Sequence, residues 1–177
     1  MTKAFLEVLA CTRMKTIIKP KKISKQNFKK FGDLIDTKKK KFISINNGYA
    51  KRFDNLGNIN TSKLKGVSIM SIFSAKRRSF PMNIKMMEKH PLGSQAFIPM
   101  NNTLFLILVA PKGKKPNINK IKSFIVPKQT GINYKPGIWH FPLIALKNMN
   151  FLVIDRKGKG KNLIIHKFKK ENIYLSK

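Results

Sequence analysis

The stretch Leu92-Gly93-Ser94-Gln95-Ala96-Phe97-Ile98-Pro99-Met100-Asn101-Asn102-Thr103-Leu104-Phe105-Leu106-Ile107-Leu108-Val109-Ala110-Pro111 carries no charged side chain, in a chain of which 25% is charged. Taking an unpaired charge out of water is costly, so a segment that excludes charge is one that expects burial. Asn101-Asn102 interrupts it with turn chemistry. The apolar runs on either side, residues 95–99 and 103–110, have the length of buried strands rather than of helices. Residues 131–146 share this character, with Lys135 as the sole charge, and add a further inner strand at 139–146.

Outward from these segments, strand-like runs recur at 41–45, 67–73, 83–90, 151–155 and 163–168. They are separated by Asn46-Asn47-Gly48, Pro91-Leu92-Gly93, Pro136-Gly137 and Lys157-Gly158. Helical signal is confined to one short element: Ser24 caps it, Phe28 and Phe31 share a face, and Gly32 is placed to end it. Many short strands at this spacing predict an all-β sandwich or barrel with a short N-terminal helix. With 177 residues, the expectation is a single domain over 14–177 preceded by a disordered extension, 1–13.

The chain has 38 Lys plus Arg against 7 Asp plus Glu, a net charge of +31. That excess raises the alternative of a non-catalytic, basic nucleic-acid-binding protein. However, only Arg13, Arg52, Arg77, Arg78 and Arg156 are arginine, and base readers favour Arg and stacking aromatics. The Lys runs sit beside Gly, Asn and Pro, as solvated loops do, so no specific nucleic acid is expected. The single cysteine, Cys11, excludes an internally disulfide-stapled scaffold and suggests a reducing, cytoplasmic setting. The longest apolar run, 104–110, is far below the roughly 20 residues of a membrane helix, and Glu7 interrupts the apolar segment 4–11 that would otherwise resemble an export signal. No membrane partner is expected.

One constellation could carry chemistry. If 83–90 is extended, Ile84, Met86, Glu88 and His90 fall on one face. Pro91-Leu92-Gly93 then turns the chain so that Gln95 approaches the Glu88–His90 pair. A carboxylate, an imidazole and an amide oxygen can hold a divalent metal, with His140 from the second charge-poor segment as a fourth ligand. A lone Glu and His on a strand are more often a surface pair or a hydrogen-bonded core pair.

Six sequence words appear in order: Phe31-Gly32-Asp33, Ile45-Asn46-Asn47-Gly48, the run from Glu88 to Met100, Gly131-Ile132-Asn133-Tyr134, Trp139-His140-Phe141-Pro142-Leu143 and Ile154-Asp155-Arg156. Together they closely resemble the ureidoglycolate lyase family, whose members split ureidoglycolate into glyoxylate and urea within ureide (allantoin) catabolism. The resemblance spans roughly 14–173. It implies a cupin-like β-barrel (double-stranded β-helix), a homodimer, a lyase activity with ureidoglycolate as substrate, and no organic cofactor. Within it, Pro136-Gly137 followed by His140 looks like the second cupin motif, while Glu88, His90 and Gln95 stand where a metal-binding cupin offers His-x-His and Glu.

For that reaction the resemblance suggests His90 or Glu88 as base and His140 as acid or metal ligand. Lys135 would hold the substrate carboxylate, and Asn46, Asn47 and Tyr134 would bond the urea portion. Lys135 could equally snorkel at the rim, and Asn46-Asn47-Gly48 is equally good hairpin chemistry. Trp139 is expected in the core and His166 on the surface. Another small 2-hydroxy acid remains an alternative substrate, because fold does not determine substrate.

Overall fold

The computed structural model describes residues 15–177; the expected extension 1–13, with Cys11, lies outside the described residues. In chain order the elements are β1 (Lys15–Ile18), β2 (Pro20–Lys22), α1 (Lys25–Phe28), β3 (Gly32–Ile35), β4 (Ile43–Ile45), β5 (Ala50–Arg52), β6 (Val67–Ala75) and β7 (Met82–Asn83). They continue with β8 (Met86–Lys89), β9 (Gln95–Pro99), β10 (Phe105–Ala110), β11 (Lys122–Val126), β12 (Gly131–Tyr134), β13 (Trp139–His140), β14 (Ile144–Ala145), β15 (Met149–Lys157), β16 (Ile164–Lys167) and β17 (Asn172–Leu175). The fold is all-β and cupin-like.

A five-stranded sheet in the order β3-β12-β9-β15-β6 faces a seven-stranded one in the order β16-β8-β13-β10-β11-β2, in which β14 also pairs with β10. The period of two along the strands explains what fills the space between them. Phe97, Ile132, Phe151 and Val153 from the first sheet meet Phe105, Ile107, Val109 and Phe124 from the second in one buried cluster. The intervening residues of the second sheet, Leu106, Leu108 and Ala110, point the other way. They form a second buried cluster with Ile173 and Leu175 of the three-stranded sheet β1-β17-β7. β10 is therefore buried on both faces along its whole length, which is why its sequence tolerates no charge.

Helix α1 begins as expected. Ser24 and Asn27 form a reciprocal capping box, the Asn27 amide donating to Ser24 Oγ at 3.2 Å and the Ser24 amide to Asn27 Oδ1 at 2.9 Å. It stops at Phe28 rather than continuing to Phe31. Gly32 does not end the helix; it opens β3, where its Cα lies so close to the Asn133 carbonyl that no side chain would fit. The expected strand at 139–146 is two, β13 and β14, broken at Phe141-Pro142-Leu143, and the one at 83–90 is β7 and β8. The break between β7 and β8 moves the chain from β17 to β13 and β16, whereas β13 and β14 both stay paired with β10.

Candidate active site

A cavity of about 540 Å³ opens between the two facing sheets. Glu88 and His140 stand in its wall with Gln95, Phe97, Tyr134 and Ile107, and Phe73 to Arg78 form one side. The register explains the convergence, because His140 of β13 pairs directly with Glu88 of β8 and with Val109 of β10. Gln95 pairs with Tyr134 across β9 and β12. Polar side chains thus arrive from both sheets at one end of an otherwise apolar interior.

Glu88, His90 and His140 offer one ligand atom each within 4.8 Å of one another. Glu88 Oε1 lies 3.7 Å from His140 Nε2 and 4.0 Å from His90 Nε2, and the imidazole centroids are 5.3 Å apart. His90 Nδ1 lies 2.7 Å from the Asn162 carbonyl and His140 Nδ1 3.1 Å from that of Ile138. A carbonyl only accepts, so each Nδ1 carries the proton and donates it, and each Nε2 presents a lone pair. Both Nε2 atoms are buried without a partner. Two lone pairs and a carboxylate therefore face one another across gaps too wide for hydrogen bonds.

Burial sets the protonation states. His140 is pushed down to about 3 by desolvation first and by His90 second. Desolvation lowers His90 too, against opposing contributions from the Asn162 carbonyl and the Asp155 carboxylate. Desolvation raises Glu88 above the ordinary carboxylate range. Tyr134, stacked on His140 with centroids 4.5 Å apart, is raised by burial and then by the Glu88 charge, so its phenol keeps its proton. Both imidazoles are neutral near pH 7 and the Glu88 contacts are not ion pairs.

This donor set fits a divalent cation. A backbone carbonyl orienting the far nitrogen of each imidazole is the usual support of a histidine ligand. Ligand atoms bonded at about 2.0 to 2.2 Å in a tetrahedral site are roughly 3.4 Å apart, slightly closer than Glu88 stands to either imidazole. Gln95 Oε1, also buried and unbonded, offers a further oxygen.

Of the residues expected at the site, the structure brings Glu88, His140, Gln95 and Tyr134 to the cavity, with His90 joined to Glu88 and His140 behind its wall. His90 lies just beyond β8 rather than within it. Lys135 and Asn46 are not brought there. Lys135 follows Tyr134 just beyond the end of β12, and its ammonium donates to the Lys29 carbonyl at 2.6 Å, away from the cavity. Asn46, with Asn47, forms the exposed, positive-φ tip of the β4–β5 hairpin. Trp139 is 1% exposed. His166 is half-buried on β16 against Trp139 and Phe168, outside the cavity wall. The reading of the residues missed Asp155, whose Oδ2 lies 3.5 Å from Gln95 Nε2 and whose Oδ1 is buried and unpaired. It also missed Arg77 and Arg78 on the cavity side.

A cupin-like barrel that gathers two oriented imidazoles and a carboxylate beside a cavity belongs to the class of small-molecule enzymes built on that fold. Sequence comparison gives the family. The profile described as Ureidoglycolate lyase matches residues 15–174. A ureidoglycolate lyase of Pseudomonas paraeruginosa is 40% identical over 159 residues, covering 89% of this chain and 94% of the relative. One of Pseudomonas fluorescens is 42% identical over 156 residues, covering 88% and 92%, and one of Pseudomonas putida 40% over 154, covering 86% and 92%. The chain belongs to the ureidoglycolate lyase family, and it is a lyase. No helix among the described residues is long and apolar enough to cross a membrane.

Proposed function

We propose that this chain eliminates urea from ureidoglycolate to give glyoxylate, with Glu88, His90 and His140 as the centre of the reaction. The observation that carries the reading is the convergence of one carboxylate and two Nε2 lone pairs beside a cavity whose wall includes Glu88 and His140, in a chain whose relatives bear that activity's name.

The carbon that reacts bears a hydroxyl, a carboxylate and the ureido nitrogen. The O–H bond breaks, the C–O bond becomes a carbonyl, the C–N bond breaks, and the departing nitrogen takes up a proton. Glu88, raised by burial, accepts the hydroxyl proton and can return it to the nitrogen, so one group serves both halves. Neutral His140 has no Nε2 proton to give, which favours a ligating role over an acidic one. Tyr134, kept protonated, is a hydrogen-bond donor for the ureido portion. Glu88, His90 and His140, with Gln95 alongside, would hold a divalent ion, which when bound supplies Lewis acidity that lowers the pKa of a hydroxyl.

Residues 14–177 form the catalytic domain in this reading, and the protein works in ureide (allantoin) catabolism in the cytoplasm, a setting that a single cysteine supports. Its partner is a second copy of itself. Strand β6 is a sheet edge without one charge, and Val67, Met70 and Ile72 on it are 59%, 75% and 61% exposed. Natural edges are normally blunted by Lys or Pro, and this chain has lysine to spare, so a bare edge is best explained by isologous pairing. The deciding experiment supplies ureidoglycolate to purified protein and measures glyoxylate and urea together. Equal release of both is expected; ammonia in place of urea, or no glyoxylate, would sink the proposal.

A further inference from the structure

Arginine is scarce in this chain, so what each one does is informative. Arg52 donates to Asp54 at 2.7 Å. Arg156 is buried and donates to the Lys63 carbonyl at 3.0 and 2.6 Å and to that of Lys159 at 2.9 Å. Arg13 lies outside the described residues. The remaining two, Arg77 and Arg78, are adjacent, and neither guanidinium has a hydrogen-bond or ion-pair partner among the described residues. Both belong to the side of the cavity that holds Glu88 and His140.

Their backbone is nonetheless pinned. The Arg77 amide donates to Asn148 Oδ1 at 2.9 Å, the Arg78 amide donates to the Ala145 carbonyl at 2.9 Å, and Arg77 bridges Ala145 of β14. β6 leads into this segment: Phe73, 40% exposed, touches the Phe97 ring edge-on, and Ala75 lines the cavity. Beyond the end of β6, Arg77 and Arg78 stand exposed at the rim of that cavity. A pinned main chain carrying a free guanidinium on the cavity side is a preorganised anion receptor, and a planar guanidinium matches a carboxylate with two parallel hydrogen bonds where lysine offers one point charge.

We propose that Arg77, assisted by Arg78, is the carboxylate anchor of this cavity, so that the site selects small 2-hydroxy and 2-oxo acid anions. This takes over the role expected of Lys135. It rests on the lyase reading for the substrate's identity but not for the anchor itself.

The test measures binding of glyoxylate, the carboxylate-bearing product, and of urea, which has none, by calorimetry on the full chain. Steady-state kinetics and melting temperature accompany it. R77M is expected to weaken glyoxylate by at least about tenfold, the scale of a lost charge-assisted contact. It should lower kcat/KM mainly through KM and leave urea binding and melting temperature unchanged. R77K should recover part of the loss, and R78M should cost less than R77M. Glyoxylate affinity within about twofold of wild type in both R77M and the double variant R77M/R78M would overturn the anchor. So would a salt-sensitive KM with unchanged product affinity, which marks mere electrostatic steering. Wild-type protein that binds glyoxylate through Arg77 yet does not cleave ureidoglycolate would refute the proposed reaction and leave the anchor standing.

Discussion

Glu88→Gln is the sharpest perturbation of the proposed centre, because it keeps shape and hydrogen-bonding length while removing the charge and the basic oxygen. Glu88 Oε1 stands 3.7 and 4.0 Å from the two unpartnered Nε2 atoms, so the substitution withdraws the only carboxylate of the cluster. A positioned general base is worth about a hundredfold to ten-thousandfold in rate, equivalent to about 2.7 to 5.4 kcal/mol of barrier. Turnover, followed as glyoxylate release at saturating substrate, should therefore fall at least about a hundredfold. Stability should move the other way or not at all, since burial disfavours the charged carboxylate and a neutral amide removes that penalty. Urea denaturation of the ion-free protein checks this second half. Divalent-ion binding, measured by equilibrium dialysis, should also weaken. Turnover within about threefold of wild type would refute the assignment of Glu88 to the reacting centre. A matching fall in stability would instead mean that the carboxylate is structural.

His90→Ala and His140→Ala should each lower turnover at least about a hundredfold while the double variant adds little, as expected of groups acting as a unit; additive losses would separate them. His166→Ala should leave turnover intact, because that ring packs on Trp139 and Phe168 outside the cavity wall. Lys135→Met should leave KM for ureidoglycolate unchanged, since the ammonium bonds the Lys29 carbonyl; a raised KM would return Lys135 to the site. In chelator-treated protein, stability should fall as pH drops from 7 to 5. The folded pKa of His140 lies near 3, so the unfolded chain takes up a proton there that the folded one refuses. Each such imidazole costs up to about 1.4 kcal/mol per pH unit below its unfolded pKa of about 6.5. The raised carboxyl of Glu88 offsets part of this, having the opposite sign. A denaturation midpoint that is flat across this range would show that the imidazoles titrate freely.

Inner strands were legible in the sequence because burial excludes charge: β9 and β10 fall where 92–111 carries none, and β12 and β13 where 131–146 carries only Lys135. The Glu88, His90 and His140 grouping was legible in part. Period two put Glu88 and His90 on one face, and the charge-poor setting of His140 marked it as interior. By contrast, β11 shows no clean alternation, with the burial pattern eBBeB from Lys122 onward, and β17 alternates but is only four residues long in a lysine-rich terminus. Pairing with β10 and with β1 makes them strands.

Tyr134 and Lys135 mark the limit most clearly. Both were natural candidates from one polar corner of an apolar segment, yet the register of β12 against β9 and β3 places Tyr134 in the cavity wall, while Lys135, just past the end of the strand, is held by the Phe31 and Lys29 carbonyls. Asn46 sits at the exposed tip of the β4–β5 hairpin, outside the cavity wall. The amino-acid sequence alone determined that the chain is β-rich, a sandwich or a barrel, with two charge-poor inner segments, one starting beside His90 and one containing His140, because charge avoidance and side-chain alternation are local properties. Tertiary structure alone decided which polar residues share a wall. The pairing of β13 with β8 sets Glu88 against His140 across 52 residues of chain, and the bridge to β14 carries Arg77 to the cavity. Such contacts depend on the closure of the two sheets upon each other, which no local pattern encodes.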